Sequence, residues 1–176
     1  MLDKLNAMLA AEYQVRESKL GDKASIKRLD NEALHVAKEY MDIVKVLLEK
    51  SSASGTRGND STLFVTSNQS LSNELVEETK IHFLRGISLY ESLDAHEMCA
   101  QWSDLLQSII LVTSKANMSE DTDVLLGNVM TVKAHAQSMS GSIASGLKTA
   151  REAWEKVKTV DSLVTLFHCS LRHELK

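Results

Sequence analysis

The chain has no proline, where ordinary usage near 5% would place about nine in 176 residues. It also has only 7 glycines, so little interrupts a helix and a turn-rich all-β fold is disfavoured. Its two cysteines, Cys99 and Cys169, are too few and too far apart for a disulfide framework, and no CxxC pair points to structural zinc. That usage fits a reducing, cytoplasmic setting. No apolar run approaches the roughly 18 residues needed to cross a bilayer. The start, MLDKLNAML, is charged from its third residue and lacks the apolar centre of a signal peptide. A net charge of −4 argues against a general nucleic-acid binder, which would carry a strongly basic face. There is no phosphate-cradling glycine loop, no HExxH and no GxSxG.

What remains is helical periodicity. In MCAQWSDLLQSIILV, Met98, Trp102, Leu105, Leu106, Ile109 and Val112 recur at steps of three and four. Ile110 and Leu111 extend the apolar surface around the helix, which predicts a rod at the centre of a bundle. Upstream, Leu2, Leu5, Met8, Leu9 and Tyr13 trace a first helix ending near Leu20, with Gly21 and Asp22 as stop and cap. A second helix, from Lys23 to about Lys50, turns Ile26, Leu29, Ala33, Ala37, Tyr40, Val44 and Leu48 inward. Residues 51–69 lose this character, being rich in serine, threonine, glycine and asparagine, and read as a flexible loop. Its apolar island, Leu63 to Val65, suits either a plug over a groove or a plain tether.

A third helix is predicted from Ser70 or Ser72 to Leu93, burying Leu75, Val76, Phe83, Ile87 and Tyr90. A fourth runs from Asp94 to Lys115. Beyond it, Leu125, Val129, Val132, Ala136, Met139, Ile143, Gly146, Ala150, Trp154 and Val157 keep a 4-3 alternation that reads as one long heptad seam. Its middle, SMSGSIASG, consists of small residues, which suits either close helix approach or a kink. Thr159 or Asp161 is placed to cap a last helix carrying Leu163, Leu166, Phe167, Ser170 and Leu171.

The stretch IHFLRGISLYESLDAHEMCAQWSDL, Ile81 to Leu105, resembles tetratricopeptide helices in cadence: a Leu-Tyr helix end, a short acidic turn, then a Cys-Ala/Trp helix start. Three-helix units also resemble the microtubule-interacting-and-trafficking type. The tetratricopeptide proline is missing and no period near 34 residues recurs, so no family is assigned.

Several side chains invite chemistry. Glu32 and His35 have the Glu-x-x-His spacing of helical di-iron sites, but no second copy of the motif exists. His96 and Cys99 share a helical face, the geometry of a thiolate–imidazole pair, and His168, Cys169 and His173 cluster in the last helix. Against these, Cys99 lies on an apolar stripe where a thiol acts as a small hydrophobe, and His35 flanks its own stripe. Arg16, Lys19, Lys23, Lys27 and Arg28 are the densest basic patch, offering weak contact to a membrane surface or an acidic peptide. Glu17, Asp22 and Asp30 offset it.

The sequence therefore predicts an all-α bundle of about six mostly antiparallel helices, in two three-helix sets (1–93 and 94–176) packed as one unit. Neither a cofactor nor a metal is expected, and no catalytic residue is assigned. The expected role is non-catalytic: an adaptor or scaffold domain taking a partner's helix or short motif into a groove lined by Val129, Val132, Ala136, Met139 and Ile143. The alternatives are a homodimer through the 124–157 seam or, less favoured, a helical metal-binding enzyme.

Overall fold

A computed structural model describes residues 2–17, 23–54, 62–114 and 120–175, and among them it contains seven α-helices and no strand. These are α1 (Leu2–Glu17), α2 (Lys23–Ser54), α3 (Thr62–Ser92), α4 (His96–Ser114), α5 (Glu120–Met139), α6 (Ile143–Lys156) and α7 (Val160–Glu174). The protein is an all-α helical bundle. Gly21 and Asp22, expected as stop and cap, lie outside the described residues.

The seventh helix arises because the 124–157 seam is not one rod. α5 stops at Met139, and Gly141 takes φ 95°, a left-handed conformation that favours glycine. Two bonds close the turn: Ser142 N donates to Gln137 O at 2.9 Å and Gly141 N donates to Ser138 O at 3.3 Å. This double closure is a Schellman ending. α6 then folds back along α5, so that the end of α6 meets the start of α5. Lys156 reaches Asp123 at 3.1 Å, and a Cβ on Gly127 would lie 2.5 Å from Val157 Cγ1. A Cβ on Gly146 would stand 2.9 Å from both Ala134 O and Ser138 N, so glycine there lets two backbones touch. The small-residue segment supplies both the turn and the close approach. The heptad pattern was satisfied within the chain, by two helices facing each other.

Part of the stretch expected as a loop is helical. α2 continues to Ser54 and α3 begins at Thr62, leaving only 55–61 of the 51–69 stretch outside the described residues. Serine, threonine and asparagine each disfavour a helix by only about half a kcal/mol, too little to end one already propagating. The backbone of 63–65 is part of α3 rather than a plug.

At the α3–α4 corner, Asp94 belongs to the end of α3 rather than the start of α4. Its φ is 53°, and Ala95 N donates to Tyr90 O at 2.9 Å while Asp94 N donates to Glu91 O at 3.1 Å. This is the same ending as at Gly141, made with a residue that bears a Cβ.

The core forms around Trp102, which is fully buried. Its ring lies 5.1 Å from Phe83 and 5.5 Å from Tyr90, centroid to centroid. α3 admits so large a side chain because it carries Gly86 opposite: a Cβ there would fall 2.3 Å from Trp102 Cζ3. Trp102 Nε1 has no hydrogen-bond partner among the described residues, so packing holds the ring. The surrounding cluster crosses the Ala95 corner without a break, from Ala33, Val36 and Met41 on α2 through Phe83 and Ile109 to Leu126, Val129, Ala136 and Ala153. One buried polar link joins α2 to α3. Thr79 Oγ1 donates to Leu75 O at 2.7 Å, which leaves it to accept from the Tyr40 hydroxyl at 2.9 Å. The second half of α4 is less enclosed than its composition implies. Ile109 and Ile110 are buried, whereas Leu111 and Val112 are exposed.

Two stability predictions follow from these contacts. Gly86→Ala should destabilise by about 2 kcal/mol by overpacking, although alanine is the better helix former. The loss should shrink in a Trp102→Phe background, as read by urea denaturation of the double-mutant cycle. Asp94→Gly should raise stability by about 1 kcal/mol through relief of the left-handed backbone. An unchanged or lower urea midpoint would show that the conformation is not strained there.

Candidate functional site

The residues with chemical promise are mostly kept apart. Glu32 and His35 both face solvent on α2, where His35 Nε2 lies 3.3 Å from Glu39 Oε1 and Glu32 sits 4.0 Å from Arg28. No inward carboxylate joins them. Cys99 is 1% exposed, and burial, with Glu91 nearby, pushes its thiol up to about 12. A thiol so hard to ionise does not form a thiolate–imidazole pair at neutral pH. Cys169 is fully buried and donates weakly to Ala134 O at 3.7 Å, with burial again raising its pKa. His173 is exposed on the far side of α7, at a shallow cleft of about 400 Å³ shared with Lys148, Arg151 and Glu155. The basic patch is divided: Arg16 turns inward to an ion pair with Asp30, while Lys23 and Lys27 border a small cleft with Glu97 and Gln101. The side chain of Lys19 lies outside the described residues.

Most of the five residues expected to line a partner groove are enclosed. Val129, Ala136 and Ile143 are buried, and Val132 packs at the edge of the main core. Only Met139 is exposed, and its Sδ accepts from Arg172 Nη1 at 3.0 Å. The cause is simple: once the seam folds at Gly141, most of its apolar side chains are used between α4, α5 and α6, and Val124 and Met139 stay exposed.

Two arrangements emerge that sequence spacing did not bring together. The first is a row of three imidazoles from three helices. His96 on α4 lies edge-on to His135 on α5 at 6.1 Å, and His135 lies 5.4 Å from His168 on α7, between centroids. The rings are strung out rather than convergent. Among the described residues no group of three His, Cys, Asp or Glu is arranged to hold a metal ion. Burial lowers the pKa of His135. His168, His96 and Arg172 push it the same way, with Glu91 opposing. His168 Nδ1 is buried without a hydrogen-bond partner among the described residues. These residues are 39 and 33 positions apart in sequence, so no motif could have announced them.

The second arrangement is the outer face of α7. Of the residues read on the last helix, Leu163, Phe167 and Leu171 face outward. The helix buries Ser162 and Cys169, with Leu166 packed against Ala134, Leu147 and Ala150. Ser162 is drawn inward by its role in the cap. Ser162 N donates to Thr159 Oγ1 at 3.2 Å, Thr159 N donates back to Ser162 Oγ at 3.2 Å, and Ser162 Oγ donates to Val157 O at 2.7 Å. That cap fixes the rotation of α7 about its axis. Val160, Leu163, Val164, Phe167 and Leu171 therefore point to solvent, with Val160 77% and Phe167 64% exposed. Their spacing of three, four, seven and eleven makes one continuous stripe. The sequence held this signal: the stripe was legible, but its direction was not.

No helix among the described residues is long and apolar enough to cross a membrane. No family model, curated protein or solved structure matches the chain.

The imidazole row gives a pH signature. Because His135 holds its proton less tightly when folded than the free value near 6.5, the unfolded chain binds protons preferentially below that pH. Stability should be full above pH ~6.5, fall as pH drops through the lowered folded value, and then level off as far as this residue is concerned. The melting temperature should thus drop between pH 7.5 and 5.5 by more in the native protein than in His135→Gln. Equal drops would mean that this residue does not contribute.

Proposed function

We propose that this chain is a non-catalytic protein-interaction domain, of the adaptor or scaffold kind, whose working surface is the outer face of α7. One observation carries the reading: five apolar side chains on one helix form an unbroken exposed stripe while the same helix packs by its small and polar side. Isolated apolar residues are common on protein surfaces, but a contiguous row with polar borders marks a contact surface. A helix of this kind docks against another helix, its side chains at three- and four-residue steps entering the partner's grooves.

Rigidity supports the same reading. The cap at Thr159, the short 157–159 link and the packing of Leu166 and Cys169 hold the face in a single orientation before any partner arrives. Preorganisation lowers the entropy lost on docking. Both cysteines are free thiols, which suits the reducing cytoplasmic setting that belongs to this proposal.

The test is Phe167→Asp, with Leu163→Asp as its companion. Both sites are exposed, so each variant should keep a melting temperature within a few degrees of the native protein. A tagged native chain should recover a protein, either its own untagged copy or another, that the tagged variants recover at least tenfold less well (~1.4 kcal/mol). Identical recoveries from natively folded variants would refute the proposal.

A further inference from the structure

Resting on the reading of α7 as a docking face, we infer that its occupant is the same face of a second copy, lying antiparallel across a two-fold axis. The inference comes from how charge is distributed around the stripe. The first turn of α7 carries the acidic Asp161, and the last turn carries the basic Arg172 and His173 beside the acidic Glu174. Asp161 and Arg172 are eleven residues apart, three helical turns, so they lie along the same border of the apolar row. A two-fold axis perpendicular to α7 reverses the helix and keeps each border on its own side. It therefore brings the Asp161 end of one border opposite the Arg172 end of the same border in the other copy.

The register agrees on both counts. The midpoint of Asp161 and Arg172 falls between positions 166 and 167, and the apolar row from Val160 to Leu171 is centred within about one residue of that point. Aligning the charges thus also aligns the stripes, with Phe167 at the centre facing its symmetry mate. Two Asp161–Arg172 pairs form, one at each end of the contact. A parallel pairing, whose axis runs along the helices, would instead carry this border to opposite sides of the contact and form neither pair. Antiparallel packing also places the positive N-terminal end of each α7 beside the negative C-terminal end of the other. An isologous contact needs a surface that is complementary to itself under a two-fold operation, and this face meets that requirement in its apolar row and in the pairing of Asp161 with Arg172.

Sedimentation equilibrium of the purified full chain, at low salt and over concentrations from below to above micromolar, tests the inference. The native protein should show a monomer–dimer equilibrium. Asp161→Arg and Arg172→Asp, which set like charges opposite each other twice per dimer, should each raise the dissociation constant about tenfold or more. The double variant Asp161→Arg/Arg172→Asp should return it to near the native value, because the exchanged charges again pair between copies. Circular dichroism of each variant keeps a folding defect from being read as a loss of dimer. A chain that stays monomeric throughout, or a dimer whose affinity ignores both single charge reversals, overturns the inference. If the chain is monomeric yet captures another protein in a Phe167-dependent way, the second copy is ruled out and the docking face stands. If it is monomeric and captures nothing, both fail.

Discussion

The bundle depends on one steric allowance: Trp102 on α4 occupies the space that a Cβ at position 86 of α3 would need. A ring of that size, fully enclosed between Phe83 and Tyr90, sets the distance and angle between α3 and α4. α4 in turn packs on α2, α3 and α5, so its placement is passed on to both halves of the chain. The α4–α5 contact is fastened at its rim by Lys133, which reaches Asp104 at 2.6 Å and Gln107 at 3.2 Å. The other close approaches work in the same way. Gly146 brings α6 onto the α5 backbone and Gly127 makes room for Val157. Three glycines in helices therefore mark three places where helices come closer than ordinary side chains allow.

This construction accounts both for the burial of the two thiols and for the exposed outer face of α7. Close helix contacts bury the inward stripes of α2 to α6, leaving scattered residues such as Ile43, Val46, Ile81 and Leu111 exposed, and draw Cys99 and Cys169 into the interior, where burial holds both as neutral thiols. α7 packs Leu166 and Cys169 on a small patch of Ala134, Leu147 and Ala150, and among the described residues no further helix covers its outer face. Its remaining apolar row is then unmatched within the chain.

Much of the architecture was legible in the spacing of apolar residues. The inward faces of α2 and α3 were read almost residue by residue: Ala33, Ala37, Tyr40 and Val44 on one, Val76, Phe83, Ile87 and Tyr90 on the other, all buried. The Thr159 cap was visible too, because threonine or aspartate just before an apolar-periodic run is a local signal. The seam from 124 to 157 was misjudged as one helix for an instructive reason. A heptad pattern records that two apolar stripes face something, and two antiparallel halves joined by a turn satisfy it as well as one long rod does. Gly141 was the residue that chose between them, through its left-handed backbone. The loop at 51–69 was overextended because weak helix formers were read as breakers.

The order of helices, their inward stripes and the absence of any strand-forming alternation were local properties, fixed by which residues stand three and four apart, and so the chain itself determined them. Which stripe met which was decided only in three dimensions. The burial of Val129, Ala136 and Ile143, the row of His96, His135 and His168, and the outward turn of Phe167 all depend on how one helix is rotated against another. That rotation is set by contacts between residues far apart in the chain, at Gly86 and Trp102, Gly146 and Ala134, Leu166 and Leu147. Periodicity reports that a helix has two sides, and only its neighbours determine which side faces in.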